Sequence, residues 1–174
     1  MKFRKTILKG LWVVESEVFQ DYRGSFLKTF SKCDFELNGL SLNTANCYLT
    51  HNPVCGTLRG LHYQAEPYAE DKLVRCVSGR IFDVAVDLRE KSETRYQWFG
   101  LELSGENHQA LYIPKGFAHG FVSLTDNAMV QYQISNDYEP KAERGVSWDD
   151  PKIGIKWPIE PKIISEKDKS HPLL

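Results

Sequence analysis

With 174 residues, 41% of them hydrophobic, the chain is long enough to bury a real core and too short for two ordinary domains, so one domain over 1–174 is expected. Its 22 Lys and Arg balance 23 Asp and Glu, which leaves no basic excess for nucleic acid and no acidic tail; phosphate binding would have to come from local basic residues. No apolar run approaches membrane-spanning length, residues 1–7 lack the apolar core of a signal peptide, and Cys33, Cys47, Cys55 and Cys76 show no C-x-x-C spacing, so a cytoplasmic protein with reduced thiols and no membrane contact is predicted.

In chain order, β-branched, aromatic or alternating runs predict strands over 11–19, 25–30, 44–50, 57–63, 73–77, 81–88, 96–103, 110–113, 120–124 and 128–134. Residues 31–38 have the only helical look, with Ser31 as a candidate cap. Ser78-Gly79-Arg80 reads as a tight hairpin turn with Gly79 supplying a positive φ. Many short antiparallel strands predict an all-β, jelly-roll sandwich or barrel. Residues 148–174 carry four prolines and little periodicity, which predicts an irregular wrap around it.

Gly56-Thr57-Leu58-Arg59-Gly60-Leu61-His62-Tyr63-Gln64 sets a guanidinium and an imidazole among apolar residues and glycine. Arg is a fixed-charge fork suited to phosphate, and imidazole suits proton transfer near neutrality. Regular alternation would send Arg59, Leu61 and Tyr63 to one face and His62 to the other. Taken alone, the pair also fits a solvated edge arginine and a hydrogen-bonded core histidine. Lys72, which begins an apolar run, fits either an edge gatekeeper or an inward ammonium that stabilises an oxyanion. Asp83 shares a face with Ile81 and Ala85 and would orient a neighbour inside the barrel, while Tyr132 alone reads as a half-buried tyrosine.

Ile113-Pro114-Lys115-Gly116-Phe117-Ala118-His119-Gly120-Phe121 resembles the second motif of cupins, in which a turn delivers a histidine to the barrel mouth. Their first motif often adds an H-x-H and a Glu as metal ligands; here Leu61-His62-Tyr63-Gln64 lacks the paired histidine, so no metal site is expected. Taken with Lys72-Leu73-Val74-Arg75-Cys76, Phe82-Asp83-Val84-Ala85-Val86-Asp87 and Gly154-Ile155-Lys156-Trp157-Pro158, the two runs resemble the dTDP-4-dehydrorhamnose 3,5-epimerases from about Leu11 to Asp168.

That resemblance implies a dimeric, cupin-like jelly roll that uses no metal or other cofactor and acts on a nucleotide-linked 4-keto-6-deoxyhexose. It implies His62 as general base, Asp168 as its orienting partner, Tyr132 as the acid on the opposite side and Lys72 at the enolate oxygen. It further assigns Arg23, Arg59 and His119 to the diphosphate or sugar, Glu143 and Lys167 to further binding positions, and Phe19, Phe26 and Tyr138 to substrate contacts. Phe19 would be donated across a homodimer formed by N-terminal strand exchange. Two places depart from the family's habit: Asn46-Cys47-Tyr48 stands where Gln-x-Asn is common, and Lys28 where Glu is common. The competing readings are a 3-epimerase acting at one carbon, a 3,4-ketoisomerase, and a non-catalytic sugar-nucleotide-binding barrel.

Overall fold

Apolar alternation builds two antiparallel sheets that face each other, as the computed structural model of residues 1–174 describes. The first sheet holds β1 (Lys2–Lys5), β2 (Trp12–Glu15), β5 (Asn46–Asn52), β7 (Lys72–Ser78), β10 (Gln109–Ile113) and β12 (Ala128–Ile134), in the order β1-β2-β10-β7-β12-β5. The second holds β6 (Thr57–Gln64), β8 (Arg80–Asp87), β9 (Trp98–Ser104), β11 (Phe117–Ser123) and β13 (Glu143–Gly145), in the order β13-β6-β11-β8-β9, with β14 (Ile163–Ile164) added parallel to β6. This is the expected all-β jelly roll.

Between the sheets lies a core that includes Val13, Val74, Val130, Ile81, Ala85 and Phe121. The outer face of the first sheet is covered by Phe35 of α1 (Lys32–Leu37) together with Leu40 and Leu42. Ser31 caps α1 by accepting a hydrogen bond from the Asp34 N–H. The outer face of the second sheet, with Leu61, Val84 and Val86, is covered by Val146, Ile153 and Trp157. Gly79 makes the predicted turn between β7 and β8 with φ +71.

Three expectations change. The run 11–19 is not one strand: β2 ends at Glu15 and β3 (Val18–Asp21) pairs only with β4 (Gly24–Leu27), forming a separate hairpin. Within one chain β2 pairs with β1 and β10. The 148–174 stretch is not wholly irregular, since it contains β14 and the one-turn α2 (Glu166–Lys169).

The third change matters most for the site. His119 pairs with His62 and Phe121 with Arg59, so Gly60 and Leu61 of β6 stand opposite the single Gly120. This bulge breaks strict alternation and sends Arg59 and His62 to the same, inward face, while Leu61 joins the outer cluster. Only glycine fits here: Gly60 has φ +126, and a Cβ on it would lie 2.6 Å from Gly120 Cα.

Candidate active site

The inward face of the bulge opens on a cavity of about 530 Å³. One wall is β6 and β11, with Arg59, His62 and His119; the facing wall is β5, β7 and β12, with Thr50, Lys72 and Tyr132. The C-terminal stretch closes one side. Pairing of β14 with Thr57 and Leu58 carries the chain alongside β6, Ser165 caps α2, and the turn delivers Asp168 beneath the bulge. An adjoining cavity of about 470 Å³ is lined by Tyr48, Leu49, Tyr138 and Glu143 as well as His62 and Tyr132.

His62 Nε2 donates to Asp168 Oδ1 at 2.8 Å, and Asp168 Oδ2 accepts the Gly60 N–H at 3.0 Å. Burial alone would raise the Asp168 carboxyl, but the hydrogen bonds from His62, Gly60 and Ser165 outweigh it and hold the group below the usual carboxylate range. With Asp168 ionised, the His62 proton sits on Nε2 and Nδ1 keeps its lone pair. The His62 side chain remains 32% exposed, open to a ligand. His119 makes a second pair of the same kind, Nε2 to Asp83 Oδ1 at 2.7 Å, with both residues buried. Asp83 thus does what its place in the apolar strand predicts. Arg59 Nε donates to Asn52 Oδ1 at 2.8 Å, which aims its guanidinium.

The facing wall is built differently. The Tyr132 ring lies edge-on to His119 with centroids 6.1 Å apart. Burial pushes its phenol far above the ordinary value, the neighbouring Thr50 hydroxyl and the Arg59 charge oppose this and the Asp83 charge adds to it, so the phenol stays protonated. The Thr50 hydroxyl is buried beside the phenol, too far for a well-formed hydrogen bond with it. Lys72 reaches inward and pairs with Glu70 at 3.1 Å, and Glu70 also accepts from Gln64 Nε2 at 2.9 Å. At the rim, Glu143 Oε2 accepts from Tyr138 at 2.5 Å and from Lys167 at 2.6 Å.

The structure therefore gathers His62, Asp168, Tyr132, Lys72, Arg59 and His119 in one cavity, with Tyr138, Glu143 and Lys167 at its edge. Arg23, Phe19 and Phe26 are not brought there within one chain. They lie on the β3–β4 hairpin, where Arg23 pairs with Asp21 at 2.6 Å and Phe19 and Phe26 are 64% and 76% exposed. Sequence reasoning missed Asn52, Glu70, Thr50 and His171. Glu70 lies in the loop just before β7, two residues from Lys72, and His171 lies about one helical turn beyond Asp168.

His62 and His119 belong to different imidazole–carboxylate pairs. His62, Asp168 and His171 hold their potential ligand atoms within 4.8 Å of one another. The direct 2.8 Å His62–Asp168 hydrogen bond nonetheless leaves no room for an ion between these two side chains as they stand.

A jelly-roll cavity with an imidazole–carboxylate pair on one wall, a protonated phenol on the other and cations around it defines an acid–base enzyme for an anionic substrate. The family model of dTDP-4-dehydrorhamnose 3,5-epimerase matches residues 5–174. The epimerase of Methanothermobacter thermautotrophicus is 46% identical over 97% of this chain and 92% of its own length. The crystal structure of the Bacillus anthracis epimerase with TDP and PPi bound superposes with TM-score 0.97 at 38% identity, covering 99% of each chain. That of the Legionella pneumophila enzyme in complex with dTDP-4-keto-L-rhamnose does so with TM-score 0.94 at 37% identity, covering 99% of this chain and 92% of the other. The chain belongs to the dTDP-4-dehydrorhamnose 3,5-epimerase family.

Proposed function

We infer that this protein inverts carbons 3 and 5 of dTDP-4-keto-6-deoxyglucose to give dTDP-4-dehydro-L-rhamnose, with residues 1–174 acting as one epimerase domain in the cytoplasm. The observation that carries the reading is the pairing of His62 with Asp168 on one wall of a cavity whose opposite wall presents Tyr132. The ketone at carbon 4 acidifies the protons at carbons 3 and 5, because the electron pair left behind is spread onto the carbonyl oxygen. His62 Nδ1 removes such a proton while Asp168 stabilises the imidazolium that forms. The Lys72 ammonium faces the developing enolate oxygen. Tyr132 then supplies a proton from the other face, which inverts the centre; His62 returns its proton to solvent and the phenolate regains one.

Arg59, His119 and Lys167 supply the positive and donor groups for the diphosphate and sugar, and Tyr138 offers a ring to the base. In this reading the chemistry uses neither metal nor organic cofactor, so activity is expected to survive exhaustive chelation. The working unit is a homodimer in which the β3–β4 hairpin brings Phe19, Arg23 and Phe26 to the partner's cavity. This is supported by the exposure of Val18, Phe19, Tyr22 and Phe26 on a two-stranded unit that pairs with no other strand of its chain.

Solvent-deuterium exchange into dTDP-4-keto-6-deoxyglucose, read by NMR, tests the reaction. Label at carbons 3 and 5 with inversion at both is expected. Label at carbon 3 alone would make this a single-carbon epimerase, and none would leave only a binding barrel.

A further inference from the structure

The chain ends in a clamped segment. The Ser147 N–H donates to Pro172 O at 2.9 Å, and the Leu174 N–H to Asp150 Oδ2 at 2.6 Å. Between these anchors and α2 sits His171, whose ring meets that of His62 edge-on with centroids 5.4 Å apart. The packing is close enough that a Cβ at Gly145 would lie 2.3 Å from the imidazole. Its Nε2 is buried, has no hydrogen-bond partner, and faces Asp168 Oδ1 at 3.7 Å, the same oxygen that His62 holds at 2.8 Å.

A bare nitrogen lone pair directed at an anionic oxygen is repelled, whereas an N–H is attracted, so the Nε2–H tautomer is the favoured one for His171. The other charges around the ring are Lys167 of α2 and Glu143 of β13. Burial keeps the His171 imidazole neutral, and a charged His62 pushes the same way.

We propose that His171 is a positioning residue, a neutral imidazole whose Nε2–H acts on Asp168 as a second donor and limits how tightly the carboxylate holds a proton on His62. At 3.7 Å the contact is too long for a hydrogen bond, and it acts through the N–H dipole. The role rests on His62 being the base. Two inversions in one substrate require that base to be emptied twice, and a carboxylate devoted wholly to His62 would slow each release.

The tautomer comes first. Ring nitrogen and carbon NMR shifts of the parent protein are expected to show His171 protonated at Nε2 and neutral across the neutral pH range; a bare Nε2 overturns the proposal without any variant. The second measurement compares pH profiles of kcat/KM for the parent, His171→Leu and His171→Gln. With the second donor gone, the acid limb moves to higher pH. The His171→Leu rate at about pH 6 falls roughly three- to tenfold while the alkaline plateau stays within about twofold. His171→Gln, which keeps an N–H donor, restores the parent limb. A His171→Leu profile that superimposes on the parent, or one lowered equally at every pH, shows that the ring only fills space and overturns the proposal. His62→Ala assayed alongside separates the two claims: if it keeps proton exchange, the base assignment has failed, and if it is inactive while His171→Leu is unchanged, only the role of His171 has.

Discussion

The two walls of the cavity solve opposite problems. On the β6–β11 wall three inward side chains are each held by another: His62 by Asp168, His119 by Asp83, Arg59 by Asn52. On the β12 wall the Tyr132 phenol is set by burial, with only the Thr50 hydroxyl beside it. A base has to be basic and aimed, which takes a carboxylate; an acid has only to stay protonated until an enolate arrives, which burial provides. The difference teaches that the β6–β11 wall is tuned by contacts and the phenol of the β12 wall by its packing.

Breaking the first wall is expected to have the largest effect. His62→Ala removes the base, and epimerisation together with solvent exchange at carbons 3 and 5 falls on the order of a hundredfold or more with the fold intact by circular dichroism. Asp168→Asn keeps the imidazole but withdraws the charge that orients it. A loss of about tenfold to a hundredfold in kcat is expected, and a variant as fast as the parent would show that the pairing is not catalytic.

Tyr132→Phe breaks the second wall by one oxygen. Exchange should continue while inversion fails, so deuterium enters with retained configuration, and inversion of both centres at the parental rate would remove Tyr132 from the mechanism. Asp87→Asn is a control that touches neither wall. Burial would raise the Asp87 carboxyl, but Arg89, Ser92 and Thr94 lower it to about 2 from 3.8. A depressed carboxylate contributes stability above its unfolded value and loses it as pH falls through the folded one. The variant should therefore melt lower at neutral pH, by about 2 kcal/mol in stability, with the deficit shrinking between about pH 4 and pH 2. The smallest effect is expected from Thr50→Val, which removes the hydroxyl beside the Tyr132 phenol while keeping its shape. A rise in KM of about threefold with kcat unchanged would make that hydroxyl a substrate contact, and a fall in kcat alone would make it a partner of the phenol.

Much of this was legible in the chain. Strand 128–134 reads as plain alternation and pairs with β5 without a shift, and Gly79 marks its own turn. The β6 assignment of faces failed because a bulge adds a residue where the pattern has no gap. Only the partner strand shows that Gly60 and Leu61 share one opposite residue. Asp168 was reached through resemblance alone, since nothing local in Ser165-Glu166-Lys167-Asp168 announces a site 106 residues away from His62. Asn52 and Thr50 were invisible for a different reason: their polar groups matter through where the neighbouring sheet puts them, and single-strand reading has no access to that.

The bulge has a consequence for how this chain tolerates change. A Cβ on Gly60 would strike the Gly120 backbone, and a Cβ on Gly120 would lie 2.7 Å from the Arg59 carbonyl oxygen. Each glycine is thus the steric condition for the other, and substituting both brings two methyl groups to the same spot. Random mutagenesis with selection for activity should find alternatives at most cavity positions before it finds any at this pair. Pairing β6 with β11 without the bulge, all residues kept, would exchange the inward and outward side chains on one side of Gly60 and put Leu61 at the cavity in place of His62. The cavity thus depends on the reading frame of one strand as well as on the residues within it.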